Sequence, residues 1–177
     1  TTQEGDVLTI DVPEEMTPEA PYDLVERMRA SIVVLGPLLA RFGEARVSVP
    51  GGDDFGHRPI DMHLRGLEEM GVSFTTSHGY IEGRVERLLG TKVLLEFPSV
   101  GATENLLMAA VTAKGTTVID NAAREPEIAD LADFLNAMGA EVQGAGTSTI
   151  TVHGVERLHP AEHTVISDRI EAATYLV

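Results

Sequence analysis

The chain has no cysteine in its 177 residues. Disulfides, thiolate zinc sites and cysteine nucleophiles are therefore excluded. Lysine is nearly missing too, since of thirteen basic residues only Lys92 and Lys114 are lysines. Arginine is the better bidentate clamp for phosphate and carboxylate, although a GC-rich coding bias yields the same skew. Positive charge as a whole is scarce. A formal net charge of −15 argues against nucleic acid or an anionic membrane as a partner, because both would be repelled. No apolar run approaches the ~20 residues that span a bilayer, and the first residues show no signal-peptide pattern. Aromatics make up only 5% against a hydrophobic share of 43%, which describes an aliphatic interior and not a disordered chain. The length suits one domain with a proper core, or two small ones.

What is present concentrates in residues 49–63, Val-Pro-Gly-Gly-Asp-Asp-Phe-Gly-His-Arg-Pro-Ile-Asp-Met-His. The stretch reads as a strand end running into a helix start. Gly51, Gly52 and Gly56 allow backbone angles closed to other residues, which predicts a mobile, sharply bent loop. Asp53 and Asp54 sit at its tip, and Arg58 comes just before Pro59, a residue suited to a first helical turn. An acid-bearing loop followed by an arginine at a helix N-terminus suits an anionic substrate that needs a proton delivered. A solvated surface turn fits the same residues.

Around that stretch, alternation over residues 6–11 predicts a strand, and Pro13, Pro18 and Pro21 a linker. Residues 22–41 carry a helical pattern with Leu24, Met28, Ile32, Leu35 and Leu38 on one side, and Gly36-Pro37 is expected to kink or split it. A short strand at 46–49 precedes the loop. An amphipathic helix over 59–70 follows it, with Ile60, Leu64, Leu67 and Met70 on one face and Gly71 as its stop. Strands are expected at 72–75, 80–83 and 92–97. A helix near 103–113, a strand at 116–120, a helix opened by Pro126 and closed by Gly139, and strands at 141–144 and 148–153 then repeat the order. Met70-Gly71 matches Met138-Gly139, and Val85-Glu86-Arg87-Leu88 recurs as Val155-Glu156-Arg157-Leu158, a spacing of about 70 residues. That spacing equals one βαβαββ unit per repeat. The first residues read as the tail of an earlier unit and the stretch from Asp168 onward as a helix broken off. The chain is expected to be an internal piece of a larger repeat protein.

Seven motifs, in order through nearly the whole chain, carry a family resemblance. They are Ala20-Pro21-Tyr22-Asp23-Leu24-Val25, Met28-Arg29-Ala30-Ser31, Pro50-Gly51-Gly52, Arg58-Pro59-Ile60-Asp61, Ser99-Val100-Gly101-Ala102-Thr103, Asn121-Ala122-Ala123-Arg124-Glu125-Pro126-Glu127 and Asp168-Arg169-Ile170-Glu171. The set resembles the UDP-N-acetylglucosamine 1-carboxyvinyltransferase family. The resemblance implies an α/β fold, the inside-out α/β barrel of the enolpyruvyl transferase type built from βαβαββ repeats and incomplete in this chain. On that basis residues 1–21 are expected to be the tail of the first unit and a linker. Residues 22–97 would be the second unit with the catalytic loop at 50–58, residues 98–162 the third, and residues 163–177 the start of the crossover to the second domain. The implied reaction moves the enolpyruvyl group of phosphoenolpyruvate onto the 3-hydroxyl of UDP-N-acetylglucosamine, the first committed step of peptidoglycan synthesis. This makes the expected protein a cytoplasmic transferase of cell-wall biogenesis, cell shape and cell division, with no metal or organic cofactor.

The resemblance also implies roles for residues. Most of the family carries a cysteine at the loop tip as proton donor, and Asp53 stands there instead, as in a minority of members. A carboxylic acid can donate the proton if its pKa is raised in the closed complex, and without the thiol the enzyme is expected to be insensitive to fosfomycin. Arg58 matches an arginine that reaches phosphoenolpyruvate and stacks on the nucleotide. Pro59, Ile60, Asp61 and Met62 match the uridine-binding segment, where Asp61 accepts from the uracil N–H. Arg29 matches a contact to the nucleotide sugar, and Ser99, Val100 and Gly101 a diphosphate-binding turn, which suits a position ahead of a helix. Phe97 departs from the pattern, because many relatives have a diphosphate-contacting lysine there. The 177 residues alone are expected to be inactive, since residues implied at phosphoenolpyruvate and at the sugar hydroxyl lie outside them.

Two rival readings are a 3-phosphoshikimate 1-carboxyvinyltransferase-like enzyme and a non-catalytic sugar-nucleotide-binding repeat domain. Without the resemblance, Arg29 reads as a helix-surface residue, Asp61 and His63 as the polar face of a helix, and residues 124–127 as a structural helix start. His159-Pro160-Ala161-Glu162-His163 fits a zinc-protease pattern. That chemistry needs both histidines on one helical face, and Pro160 between extended flanks indicates a turn, so no metal site is expected.

Overall fold

The computed structural model describes residues 1–26, 28–49 and 59–177, with Arg29 in its backbone alone. Strands β1 (Thr2–Glu4) and β2 (Val7–Thr9) form an exposed antiparallel hairpin. Strand β3 (Glu19–Ala20) then lies parallel to β4 (Glu44–Ser48). The sheet continues antiparallel through β6 (Tyr80–Arg84) to β5 (Ser73–Ser77), giving the order β3-β4-β6-β5. A second sheet repeats the plan. Here β7 (Lys92–Leu94) lies parallel to β8 (Thr116–Asp120), followed antiparallel by β10 (Thr149–His153) and β9 (Glu141–Gln143), in the order β7-β8-β10-β9.

Helices fill the crossovers in each unit. The first has α1 (Tyr22–Val25), a 3-10 helix (Arg29–Val34) and α2 (Leu35–Phe42) between β3 and β4, then α3 (Asp61–Glu69) before β5. The second has α4 (Val100–Ala110) and α5 (Pro126–Ala137) in the matching places. A last helix, α6 (Arg169–Leu176), buries none of its residues and is capped by the Asp168 carboxylate on the Ile170 and Glu171 N–H groups.

The internal repeat read from the sequence is present in atomic detail. Gly71 and Gly139 both take left-handed backbone angles, φ of +100° and +96°. The chain then folds back identically, Val72 N–H donating to Leu67 O at 3.1 Å and Ala140 N–H to Leu135 O at 3.0 Å. The recurring tetrapeptide also returns to equivalent places. Val85 N–H reaches Gly43 O and Leu89 N–H reaches Met70 O, while Val155 N–H reaches Val111 O and His159 N–H reaches Met138 O.

Helix α4 is the element that both units share. Leu106, Leu107, Ala109 and Ala110 are all fully buried, and the helix packs against α2, α3, the 3-10 helix and α5. Its approach to α2 depends on Gly36, where a Cβ would collide with the Asn105 carbonyl and side-chain oxygens and lie 3.2 Å from the Ala109 methyl.

The helical pattern over 22–41 is split, but not at Gly36-Pro37. The break comes earlier, at Met28, which is extended (φ −147°, ψ 110°). Pro37 instead sits in the first turn of α2, where its missing N–H costs nothing. Of the expected apolar face Ile32 and Leu35 are buried, but Leu24 and Met28 are exposed, and Val25 and Leu39 are buried in addition. Replacing Gly36 with Ala is expected to destabilise the protein by about 1–3 kcal/mol through overpacking. Chemical denaturation reads this as a lower midpoint at unchanged slope.

Candidate functional site

The predicted binding residues that the structure describes fall on two adjacent helix starts. Ile60 caps α3, so Asp61 and Met62 form its first turn, with Met62 buried and Asp61 partly exposed. The Asp61 carboxylate lies 3.5 Å from Arg65 Nη2, one turn along, and Arg65 also pairs with Glu96. Pro59 is exposed and Ile60 half-buried. Asp53 and Arg58, with the rest of loop 50–58, lie outside the described residues, as does the side chain of Arg29.

The second helix start differs from the sequence reading. Helix α4 begins at Val100, not near Thr103. Ser99 is its cap: the hydroxyl accepts from Ala102 N–H at 3.4 Å and the carbonyl from Thr103 N–H at 2.9 Å. Val100 and Gly101 are therefore first-turn residues, and their N–H groups have no acceptor within the helix. Their dipole-favoured direction is toward an anion. The Thr103 hydroxyl accepts from Ala123 N–H at 3.0 Å, which fixes the turn after β8 against this helix start. Phe97, at the position where the resemblance implies a lysine, is exposed.

The two starts touch through His63. This residue is buried, and a Cβ on Gly101 would lie 3.3 Å from its Cε1 and 3.5 Å from its Nε2. Behind it stands Asn105, completely buried. The Asn105 amide donates to Ile32 O at 3.1 Å and bonds His63 Nδ1 at 3.0 Å, while its oxygen accepts from Gly36 N–H at 2.6 Å. One side chain of α4 thus joins the 3-10 helix opened by Arg29 to the starts of α2 and α3. Sequence reasoning missed both residues as site elements. The available signal was an asparagine in an otherwise apolar helical run, Asn105-Leu106-Leu107-Met108-Ala109-Ala110.

Other predicted groups lie apart. Arg169 forms a bidentate ion pair with Glu127, at 3.0 and 2.7 Å, tying the start of α6 to that of α5. The Arg169 guanidinium holds the Glu127 carboxyl below its ordinary value. Residues 159–163 lie in no helix, and the two histidines have separate partners. His163 Nε2 lies 2.9 Å from Asp130 Oδ1 with its ring stacked on Phe134, and His159 Nδ1 meets the Pro160 carbonyl. Among the described residues no cluster of three His, Asp or Glu side chains is spaced to hold a metal ion.

Paired βαβαββ units that meet at the starts of α3 and α4 form a repeat-built α/β domain of the enolpyruvyl transferase type. A family model described as EPSP synthase (3-phosphoshikimate 1-carboxyvinyltransferase) matches residues 1–177. The chain belongs to the EPSP synthase family. It is 59% identical over 176 residues to a UDP-N-acetylglucosamine 1-carboxyvinyltransferase of Solidesulfovibrio magneticus, spanning 99% of this chain and 42% of that protein. It is 60% identical over 159 residues to UDP-N-acetylglucosamine 1-carboxyvinyltransferase 1 of Caldanaerobacter subterraneus subsp. tengcongensis, spanning 90% and 38%. The chain therefore spans about two fifths of these relatives (42% and 38%). Among solved structures it resembles the enolpyruvyl transferase NikO from Streptomyces tendae, with a TM-score of 0.77 at 28% identity over 90% of this chain and 38% of that one. An EPSP synthase from Acinetobacter baumannii shares the fold at a TM-score of 0.57 and 23% identity, over 73% and 29%.

One acid near this junction is held against its preference. Glu104 follows Thr103 on α4, and burial, reinforced by the nearby Glu127 charge, pushes its carboxyl pKa up. A raised acid pKa means that the native state disfavours the ionised form, so the penalty is present above the native pKa and relieved as pH falls through it. Replacing Glu104 with Gln is expected to raise the denaturation midpoint at pH 7–8, and the gain should shrink toward zero in mild acid. A midpoint difference that stays constant with pH contradicts this.

Proposed function

We propose that the protein carrying this chain transfers the enolpyruvyl group of phosphoenolpyruvate to the 3-hydroxyl of UDP-N-acetylglucosamine, in the cytoplasm, as the entry step to peptidoglycan. The observation that carries the reading is identity of 59–60% to two proteins of that name, across 90–99% of this chain. Identity to the solved EPSP synthases is only 22–23%, which favours the nucleotide-sugar acceptor over a shikimate phosphate.

On this reading the nucleotide sugar is held by Arg29, Arg58, the residues Pro59, Ile60, Asp61 and Met62, and the turn Ser99, Val100 and Gly101. The first turn of α4 supports the last of these, because the Val100 and Gly101 N–H groups and the helix dipole suit a diphosphate. Asp61, in the first turn of α3, accepts from the uracil N–H on this reading. Loop 50–57 closes over the substrates and excludes water. Asp53 then protonates the methylene carbon of phosphoenolpyruvate as the sugar hydroxyl gives its proton to a base outside these 177 residues and bonds through its oxygen to the adjacent carbon. Loss of phosphate and of a proton from the new methyl group restores the enol ether. Positioning and charge stabilisation carry the rate, with the arginines bearing most of it. Neither a metal nor an organic cofactor takes part.

The carboxyl of Asp53 must be protonated near neutral pH to act, so desolvation beside the phosphates is required to raise its pKa in the closed complex. Replacing Asp53 with Asn in the full-length protein is expected to lower turnover by about 10²–10⁴-fold, the usual worth of a general acid. Affinity for UDP-N-acetylglucosamine, read by calorimetry, should survive. Unchanged turnover removes Asp53 from the mechanism, and absent binding of the nucleotide sugar by the unaltered protein removes the function. Because the reactive thiol of most relatives is replaced by a carboxyl group, fosfomycin should leave activity intact after prolonged incubation. Complete inactivation contradicts the assignment.

A further inference from the structure

Between β10 and α6 the chain runs from residue 154 to 168 without helix or strand, yet it is tied along one face of α5. Its contacts descend that helix in order. The His159 N–H donates to the Met138 carbonyl at 2.9 Å, and its ring lies over Gly139, where a Cβ would come within 2.9 Å of Nε2. His163 stacks on Phe134 with ring centroids 5.0 Å apart, and its Nε2 lies 2.9 Å from Asp130 Oδ1. Arg169 then forks onto Glu127 at 3.0 and 2.7 Å. Positions 127, 130, 134 and 138 are three and four apart, which puts them in one row along the helix.

The two ends of this row differ. The His163 and Asp130 side chains are 18% and 15% exposed, whereas those of Arg169 and Glu127 are 46% and 35% exposed. Between them residues 164–168 are all exposed, and 164–167 take no hydrogen bond among the described residues. Helix α6 buries none of its residues, and the side-chain hydrogen bonds it sends to the rest of the described structure are those from Arg169 to Glu127. Its direction therefore depends on that pair. We propose that α5 is a rail for this connection and that Arg169 and Glu127 are its latch, positioning residues that set the direction in which α6, and the domain reached through it, leaves α5. This inference rests on the reading of residues 163–177 as the crossover to a second domain. A bidentate fork fixes angle as well as distance, and its exposure lets water replace it when the domains move. Release carries a penalty that favours the latched state. It would leave Glu127 without its counter-ion near Glu104, whose carboxyl pKa is pushed up by burial and then by the Glu127 charge.

The test uses the full-length protein in a background without other cysteines, with nitroxide labels at Ala137→Cys on α5 and Ala173→Cys on α6, both exposed positions. Dipolar spectroscopy should give one narrow distance between the labels, and Arg169→Ala and Glu127→Ala should each broaden it. In the unlabelled protein each variant should keep its affinity for UDP-N-acetylglucosamine within about threefold while kcat falls about tenfold, because the groups of the second domain are misaligned. The double variant should lose no more than either single one, since the same bond is removed each time. Distances that stay narrow and unshifted in both single variants overturn the latch, as does a double variant whose loss in kcat is the product of the single losses. If the unaltered protein transfers no enolpyruvyl group, the proposed function falls, and the distance measurement still decides the latch.

Discussion

The Asn105 carboxamide is completely buried, and a buried amide left without partners costs about 1–3 kcal/mol. Satisfying it constrains the whole first unit. The start of α2 must present the Gly36 N–H, the 3-10 helix must present the Ile32 carbonyl, and α3 must turn His63 inward. Gly36 has to lack a side chain for the first of these to come within reach. A hydrophobic residue at position 105 would ask for none of this geometry. The polar contact specifies one arrangement of four helical segments, where apolar packing alone would tolerate several.

From that constraint the site follows. Each βαβαββ unit delivers a helix start to the same end of its sheet, and α4, buried on nearly every side, holds the two units together. The starts of α3 and α4 are about forty positions apart in sequence (61 against 101), yet they meet across the contact between His63 and Gly101. The capped start of α4 leaves the Val100 and Gly101 N–H groups without an acceptor in the helix, and Thr103 secures the turn from the other side.

Much of this was legible in the residues, because the informative features were local. Strand β8 and the opening of α5 at Pro126 match their sequence reading, and the glycine stops at 71 and 139 take the left-handed angles that suit glycine. The tetrapeptide recurring at 85 and 155 marked the repeat, since in each unit the same tether follows the same helix end. Failures came where local pattern is weak or misleading. Val100 and Gly101 have low helix propensity, and Ala102 cannot complete a capping box, so the start of α4 was placed too late. Leu24 and Met28 fell in helical register with buried residues although both face outward. His63 looked like a polar-face histidine because its partner lies 42 residues further on, and no spacing rule connects them.

The amide proton of Gly36 reports most directly on the central constraint. A second-position helical N–H has no acceptor within its own helix and normally exchanges fast with solvent. Bonded to Asn105 Oδ1 in the core, it is predicted to exchange only as slowly as global unfolding allows, alongside the amides of the paired strands β4 and β6. Replacing Asn105 with Leu should release that one amide while the strand amides remain protected longer. Rapid exchange at Gly36 in the unaltered protein would contradict the account.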